Sequence, residues 1–196
     1  FRLLAFSRRV ASKNPTVYPA GVAIWLQTLK TLLRKTRGEQ KQPPELQERL
    51  RRHVDVPSEL IGEPNSLRPS AIEAAREYLR RQLRSMGHEV TEHAFSTSLR
   101  KAVNLEVILR GSPGNAGTLV VGAHYDSAIG TPGADDNASA VAILLEVARK
   151  LPQARLKRDV RLVFYDCEEP PHFHLGEMGS RQHARELRAR GERVIG

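Results

Sequence analysis

Cysteine and aromatic residues are scarce in this chain of 196 residues. Cys167 is the only cysteine, so no disulfide can form within the chain and no zinc site can be built from several cysteines. Any metal ion must therefore be held by histidine and carboxylate side chains, as in many catalytic zinc sites. Aromatic residues make up only 5% of the sequence, but the 40% share of hydrophobic residues is ordinary for a folded domain.

Acidic residues are scarce at the start of the chain, and the formal net charge is +9. Residues 1–52 contain 12 Lys/Arg and 3 Asp/Glu, a balance of +9, whereas residues 53–196 contain 19 of each. A nucleic-acid-binding domain is not expected in this neutral part, because such domains carry a basic surface.

Residues 1–43 are predicted to form a basic extension and linker, and a domain is predicted over 44–196. Two interpretations of the extension stay open: an extension that is poorly ordered or packed on its own domain, which we favour, and a helix on an anionic membrane. It contains neither a bilayer-spanning apolar run nor the order of residues typical of a secretory signal. The compartment is left open, with an extracytoplasmic location as one alternative. Apolar residues recur there at helical spacing at Val22, Trp25, Leu26, Leu29, Leu32 and Leu33.

After the linker, hydrophobic periodicity predicts alternating helices and strands. Apolar runs without alternation are typical of strands buried on both faces of a sheet, as expected for 118–123 and 160–165. The pattern predicts an α/β sheet covered by helices on both faces. Helices are expected over 44–53, 68–86, 138–151 and 180–190, and strands over 90–95, 103–109, 118–123 and 160–165, with another strand beginning at 194–195.

A histidine and an aspartate follow the predicted strand 118–123. His124 and Asp126 are two residues apart, so in extended backbone their side chains point the same way. The carboxylate can then accept the second N–H of the imidazole, which leaves the other ring nitrogen free for a metal. A His-x-Asp pair is more often structural, so this pair alone is weak support for a metal site.

Two pairs of adjacent acids lie further along the chain. Asp135 and Asp136 stand in a glycine-containing turn before a helix, where their charges are costly unless a cation neutralises them, although helix capping is the ordinary alternative. Glu168 and Glu169 follow the strand 160–165; their side chains diverge, so one can bind a metal while the other acts as a base. Ligands in α/β folds gather at the carboxyl ends of strands, so the clusters together indicate a metal site.

The segments around these clusters resemble one known family. They read HYDS at 124–127, PGADDNASAVAILLEVARKL at 132–151, RDVRLVFYDCEEP at 158–170 and MGSRQHA at 178–184. They are similar to the co-catalytic two-zinc aminopeptidases, metallopeptidase family 28. The resemblance implies a mixed, mostly parallel sheet flanked by helices. It also implies a zinc-dependent exopeptidase of the aminopeptidase type that acts on peptides or small amino-acyl substrates.

The resemblance also implies a role for individual residues. It implies that His124 and Glu169 each bind one of two zinc ions and that Asp136 bridges both, with a cis peptide bond after it. Asp126 would orient His124. Glu168 would be the general base that takes a proton from a water shared by the two ions.

The family site has five metal ligands, and the resemblance implies that the remaining two, an acid and a later histidine, follow Gly196. Residues 1–196 are thus expected to be truncated at the C-terminus, to bind zinc weakly and to be inactive alone. Cys167 is expected to be a small buried side chain rather than a nucleophile. The sequence shows no acidic partner pattern for His53, His88, His93 and His183, so these are expected to be structural or exposed. His172 and His174 are expected to have ordinary loop roles.

Two alternatives remain. The first is a glutaminyl-cyclase-like transferase with a single zinc, against which the complete run Gly-Ala-Asp-Asp-Asn at 133–137 favours the peptidase. The second is a non-catalytic binding protein on the peptidase fold. Such proteins usually lose the ligands or the base, whereas this chain contains His124, Asp136, Glu168 and Glu169.

Overall fold

Helices and strands alternate along the computed structural model, which describes residues 43–112 and 117–195. Short helical turns also cover Val56–Ile61, Ala134–Ala138 and Leu151–Gln153. The helices are α1 (Pro44–Asp55), α2 (Pro69–Ser85), α3 (Ser139–Lys150), α4 (His172–Leu175) and α5 (Gly179–Ala189). The strands are β1 (Thr91–Ser96), β2 (Lys101–Leu109), β3 (Thr118–His124) and β4 (Asp159–Tyr165).

The helix predicted within residues 22–33 lies outside the described residues, and the domain boundary at residue 44 stays a prediction. The four helices and four strands predicted after that boundary are all found within a few residues of their expected limits. Helix α4 is an addition, since four residues are too few to show a hydrophobic period. No helix among residues 43–112 and 117–195 is long and apolar enough to cross a bilayer.

The four strands form one mixed sheet in the order β1-β2-β4-β3. β3 and β4 are parallel, while β1 pairs with β2 and β2 pairs with β4 in antiparallel fashion. The mixed α/β fold is confirmed, but the described sheet is less parallel than predicted. One reason is local: only residues 97–100 connect β1 to β2, and a link this short can join antiparallel neighbours only.

Strand β3 lies at the edge of this four-strand order. Residues 160–164 of β4 are all buried, whereas residues 119–121 of β3 are only half-buried. In the described residues, the prediction of burial on both faces is therefore confirmed for β4 and wrong for β3. β4 lies between β2 and β3, whereas β3 is paired along its full length on one side only. The strand predicted to begin at residues 194–195 is represented by a single parallel bridge between Val194 and Thr118, on the outer edge of β3.

Helices cover both faces of the sheet, as predicted. Leu105 and Val107 of β2 belong to the hydrophobic core that α2 and α3 complete, and each buried aliphatic side chain contributes about 1.5–3 kcal/mol. Glu106, between them, points to the opposite face, where His183 of α5 contacts it. Because β3 and β4 run parallel, with His124 paired to Tyr165, the loops that follow both strands leave from the same edge. That edge positions the candidate site.

Candidate metal centre

His124, Asp136 and Glu169 come together at the carboxyl edge of β3 and β4. Each offers a ligand atom, and these atoms lie within 4.8 Å of one another. His124 Nε2 is 3.0 Å from Asp136 Oδ1 and 4.0 Å from Glu169 Oε1. One imidazole nitrogen and two carboxylates form a ligand set that zinc accepts. The three predicted ligands, far apart in sequence, are thus adjacent in the fold.

The orientation of His124 leaves the required ring nitrogen facing the acids. Nδ1–H donates to the backbone carbonyl of Asp126 at 3.0 Å, while the Asp126 carboxylate lies 3.4 Å from the same nitrogen. An oxygen partner on Nδ1 directs Nε2 toward a metal. The predicted orienting residue therefore contacts His124 mainly through its main chain rather than through its carboxylate.

The buried carboxylate of Asp126 has another set of partners, absent from the sequence prediction. Its two oxygens accept the backbone N–H groups of Glu168 at 3.2 Å and Glu169 at 3.0 Å. Asp126 follows β3 and the two glutamates follow β4, so these bonds fix one loop relative to the other. No sequence pattern reveals such a contact, because it joins residues more than 40 positions apart.

The adjacent glutamates point in different directions, as expected. Glu169 belongs to the ligand cluster, while the Glu168 carboxylate accepts the backbone N–H of Ser180 at 2.6 Å and its hydroxyl at 2.8 Å. Ser180 lies at the start of α5. It is missing from the set of predicted site residues, although the segment MGSRQHA gave a signal for it.

The turn before α3 places Asp136 beside His124. Gly133 has φ +70, and its carbonyl accepts the N–H of Ala138 at 2.9 Å. A side chain there would also press on the Cβ of Ser127, so glycine is required. Asp136 has a non-helical conformation, and its peptide bond to Asn137 is cis, as the resemblance implies. The Asp136 side chain is 75% exposed.

The electrostatics of the cluster favour a cation. Burial raises the pKa of Glu168, and burial together with the charge of Asp136 raises the pKa of Glu169. Burial alone would lower the pKa of His124, but Asp126 and Asp136 outweigh it and raise the pKa to about 9. Within the described residues, no Lys or Arg side chain forms an ion pair with these acids. The imidazolium is their nearest positive charge, and a zinc ion fits this donor set.

Three of the remaining histidines have an acidic partner in the structure. His93 Nε2 lies 2.9 Å and His183 Nε2 lies 3.3 Å from the buried carboxylate of Glu106. These contacts agree with the expected structural role, and their acidic partner Glu106 belongs to β2, which the sequence pattern does not show. His53 also has one, since its Nε2 is 4.0 Å from Glu146.

Helix α4 closes one side of the site. His172 is buried and bonded to Ser66 at 2.8 Å and Glu177 at 3.2 Å, which is the predicted structural role. His174 is exposed and lines a cleft of about 510 Å³ beside the cluster. Cys167 is buried, and burial raises the pKa of its thiol, as expected of a packing residue. The cleft is lined by His124, Asp136, Glu168, Glu169, Pro170, Phe173, His174 and Met178.

Comparison with known proteins agrees with this geometry. The model of peptidase family M28 matches residues 104–194, which contain every site residue described above. Over these residues the chain is similar to peptidase family M28. The uncharacterized protein YfbL of Escherichia coli strain K12 is 41% identical over 119 residues, which cover 57% of this chain and 36% of YfbL. Aminopeptidase YwaD of Bacillus subtilis strain 168 is 40% identical over 60 residues, which cover 31% of the chain and 12% of YwaD.

The chain thus spans about a third or less of the length of these curated relatives. Among solved structures, a glutaminyl cyclase of Fimbriiglobus ruber matches with a TM-score of 0.61 and 22% identity, covering 76% of this chain and 59% of the cyclase. The LapA aminopeptidase of Legionella pneumophila matches with a TM-score of 0.60 and 20% identity, covering 75% of this chain and 40% of LapA. At these identities the similarity shows a shared fold.

Proposed function

We propose that the protein is a zinc-dependent exopeptidase of the aminopeptidase type. The supporting observation is that two adjacent carboxylates have different positions. Glu169 lies in the cluster with His124 and Asp136, whereas Glu168 lines the same cleft but is hydrogen-bonded to Ser180. A metal-dependent hydrolase needs this combination of ligands and a base that is not a ligand. The match of residues 104–194 to a peptidase family and the 40% identity to a segment of an aminopeptidase support the same conclusion.

Zinc would be held by Nε2 of His124 and by the carboxylates of Asp136 and Glu169. When bound, it would polarise the scissile carbonyl and make water a better nucleophile at neutral pH. We also propose, from the resemblance, that the full site would hold two zinc ions, with His124 as a ligand of one, Glu169 as a ligand of the other and Asp136 shared by both. The largely exposed carboxylate of Asp136 is compatible with a second partner.

The chain's own residues would position the site and carry the proton. The Asp126 carboxylate holds the backbone of Glu168 and Glu169, and its carbonyl fixes the tautomer of His124. A carboxylate oxygen of Glu168 would take the proton from the attacking water and pass it to the leaving amine. Because burial raises the pKa of Glu168, it is a stronger base than an exposed glutamate.

A glutaminyl-cyclase-like transferase with a single zinc is the second candidate. The similarity in fold to the Fimbriiglobus ruber enzyme favours it. The peptidase is preferred because Asp135 and Asp136 both stand in the turn beside His124. A non-catalytic binding protein has less support, since ligands and base lie together in one cleft.

The test uses the natural protein, purified without metal and supplied with zinc. Glu168→Gln should retain zinc and lower kcat on an amino-acyl p-nitroanilide by about 100-fold or more, the usual contribution of a general base. Glu89→Gln, an exposed change in the loop before β1, is the control. Unchanged turnover in Glu168→Gln would contradict the base assignment. Cyclisation of N-terminal glutamine without amide hydrolysis would favour the transferase.

A further inference from the structure

Two adjacent carboxylates beside one cation site compete for the cation. Glu168 lines the same cleft as His124, Asp136 and Glu169, yet its carboxylate is outside the group of ligand atoms. Zinc binds carboxylate oxygens readily, and a carboxylate that binds zinc is a weaker base because the ion withdraws electron density from its oxygens. The division between ligand and base therefore needs a physical restraint on Glu168.

Ser180 supplies contacts to both oxygens of Glu168. Its backbone N–H donates to Oε1 at 2.6 Å, and its hydroxyl donates to Oε2 at 2.8 Å. Hydrogen bonds to an ionised carboxylate are shorter and stronger than those between neutral groups. A single residue thus turns the whole carboxylate toward the start of α5 and away from the three ligands.

The position of Ser180 is itself fixed by buried polar groups. The preceding residue, Gly179, donates its N–H to the Asp166 carbonyl at 3.0 Å, and its carbonyl accepts Asn104 Nδ2 at 2.9 Å. Asn104 Oδ1 also accepts the Asp166 N–H at 3.0 Å, and both of these residues are completely buried. A Cβ on Gly179 would collide with Asn104 and with the Asp166 carbonyl, so the backbone can approach only as glycine.

We propose that Ser180 is a positioning residue that keeps Glu168 out of the zinc ligand group. The inference rests on the proposed function, in which Glu168 is the base. Removal of the Ser180 hydroxyl would free one oxygen of Glu168, and the freed carboxylate would swing toward the cation. Zinc would then be bound at least as tightly, but Glu168 would be a zinc ligand and could no longer act as the base.

The experiment compares Ser180→Ala with Ser180→Thr, which keeps a hydroxyl, in the zinc-loaded natural protein. Ser85→Ala is the control, because the exposed Ser85 hydroxyl bonds only the nearby Gln82 carbonyl at the end of α2. The measurements are the zinc dissociation constant, the number of ligand atoms by X-ray absorption, and kcat and KM on an amino-acyl p-nitroanilide. Ser180→Ala should lower kcat by about 10- to 100-fold, the scale of a misplaced catalytic group, with little change in KM. Ser180→Thr should restore most of kcat.

Two further readouts separate positioning from general structural damage. Ser180→Ala should add an oxygen ligand to zinc without weakening zinc affinity, and it should cause no further loss of kcat when Glu168 is already Gln. Unchanged kcat, or weaker zinc binding in Ser180→Ala, would overturn the proposal. If the unsubstituted protein hydrolyses no amide, the proposed function fails, but the zinc dissociation constant and the ligand count still decide the role of Ser180.

Discussion

Two clusters of histidines and carboxylates in this molecule differ in the cation that faces their carboxylates. The metal cluster consists of His124, Asp136 and Glu169 at the carboxyl edge of the sheet. The Glu106 network lies under α5, where Glu106 contacts His93, His183 and Arg161, and Arg161 also contacts Glu192. Both contain residue types that bind zinc, but only the Glu106 network contains an arginine.

The shifts in pKa express this difference. Burial alone would raise the pKa of Glu106, but hydrogen bonds from His183, His93 and Arg161 outweigh it and hold the pKa well below its usual range. In the metal cluster, burial and Asp136 instead raise the pKa of Glu169. A carboxylate that already has a permanent cation stabilises the fold, whereas one without it is available for an added cation. In this protein, the two clusters therefore differ in whether an arginine contacts the carboxylate, and not in the number of histidines.

The largest expected effect is on stability, from Glu106→Gln. Removal of one partner from a buried ion pair leaves Arg161 poorly compensated, so we expect a loss of about 3–5 kcal/mol in the free energy of unfolding, measured with urea. Because the folded pKa of Glu106 is depressed, this loss should be full above pH 4.5, the ordinary value, and should shrink as pH falls through the folded pKa. Glu89→Gln should change stability by less than about 0.5 kcal/mol. An equally small effect of Glu106→Gln would mean that the network is not structural.

Glu169→Gln tests the other cluster. We expect zinc affinity to fall more than about 100-fold, because even residues that only orient a ligand cost 10- to 100-fold when changed. The free energy of unfolding of the metal-free protein should stay the same or rise, since the change removes a carboxylate with no arginine partner. Calorimetric zinc titration measures the affinity, with Glu106→Gln expected to bind zinc normally. An equal decrease of zinc affinity in Glu169→Gln and Glu106→Gln would contradict the assignment of zinc binding to the metal cluster alone.

Asp126→Asn should have a smaller effect on zinc binding. The amide has one acceptor oxygen in place of two, so it can satisfy only one of the N–H groups of Glu168 and Glu169. We expect zinc affinity to fall about 10- to 100-fold. The backbone carbonyl that fixes His124 remains in this variant, so a complete loss of zinc would show that the carboxylate, and not the carbonyl, orients His124.

The smallest expected effect is the release of protons when zinc binds. In the metal-free protein the pKa of His124 is raised to about 9, so the imidazole is protonated at pH 7.5 and must lose its proton to bind zinc. Zinc binding at pH 7.5 should therefore release about one proton, measured as the dependence of binding enthalpy on the ionisation enthalpy of the buffer. Above pH 9 the release should vanish. A binding enthalpy independent of buffer at pH 7.5 would contradict this charge state.

Most of the fold and the members of the metal cluster could be predicted from the sequence. The periods of α2 and β4 are local properties, and the resemblance already pointed to His124, Asp136 and Glu169. The contacts of the Asp126 carboxylate with Glu168, and of Glu106 with His93, depend on strand pairing and register, which a single sequence does not show. The edge position of β3 was hidden for the same reason.

Anomalous diffraction at the zinc edge, from crystals of the zinc-loaded natural protein, tests the central claim most directly. Each zinc peak should lie about 2.0–2.2 Å from a carboxylate oxygen of Asp136 and from either His124 Nε2 or a carboxylate oxygen of Glu169, the usual lengths of these bonds. Glu168 should stay bonded to Ser180, and no peak should lie near Glu106. A zinc peak beside Glu106, or bonded to Glu168 in place of Glu169, would contradict the assignment of ligands and base.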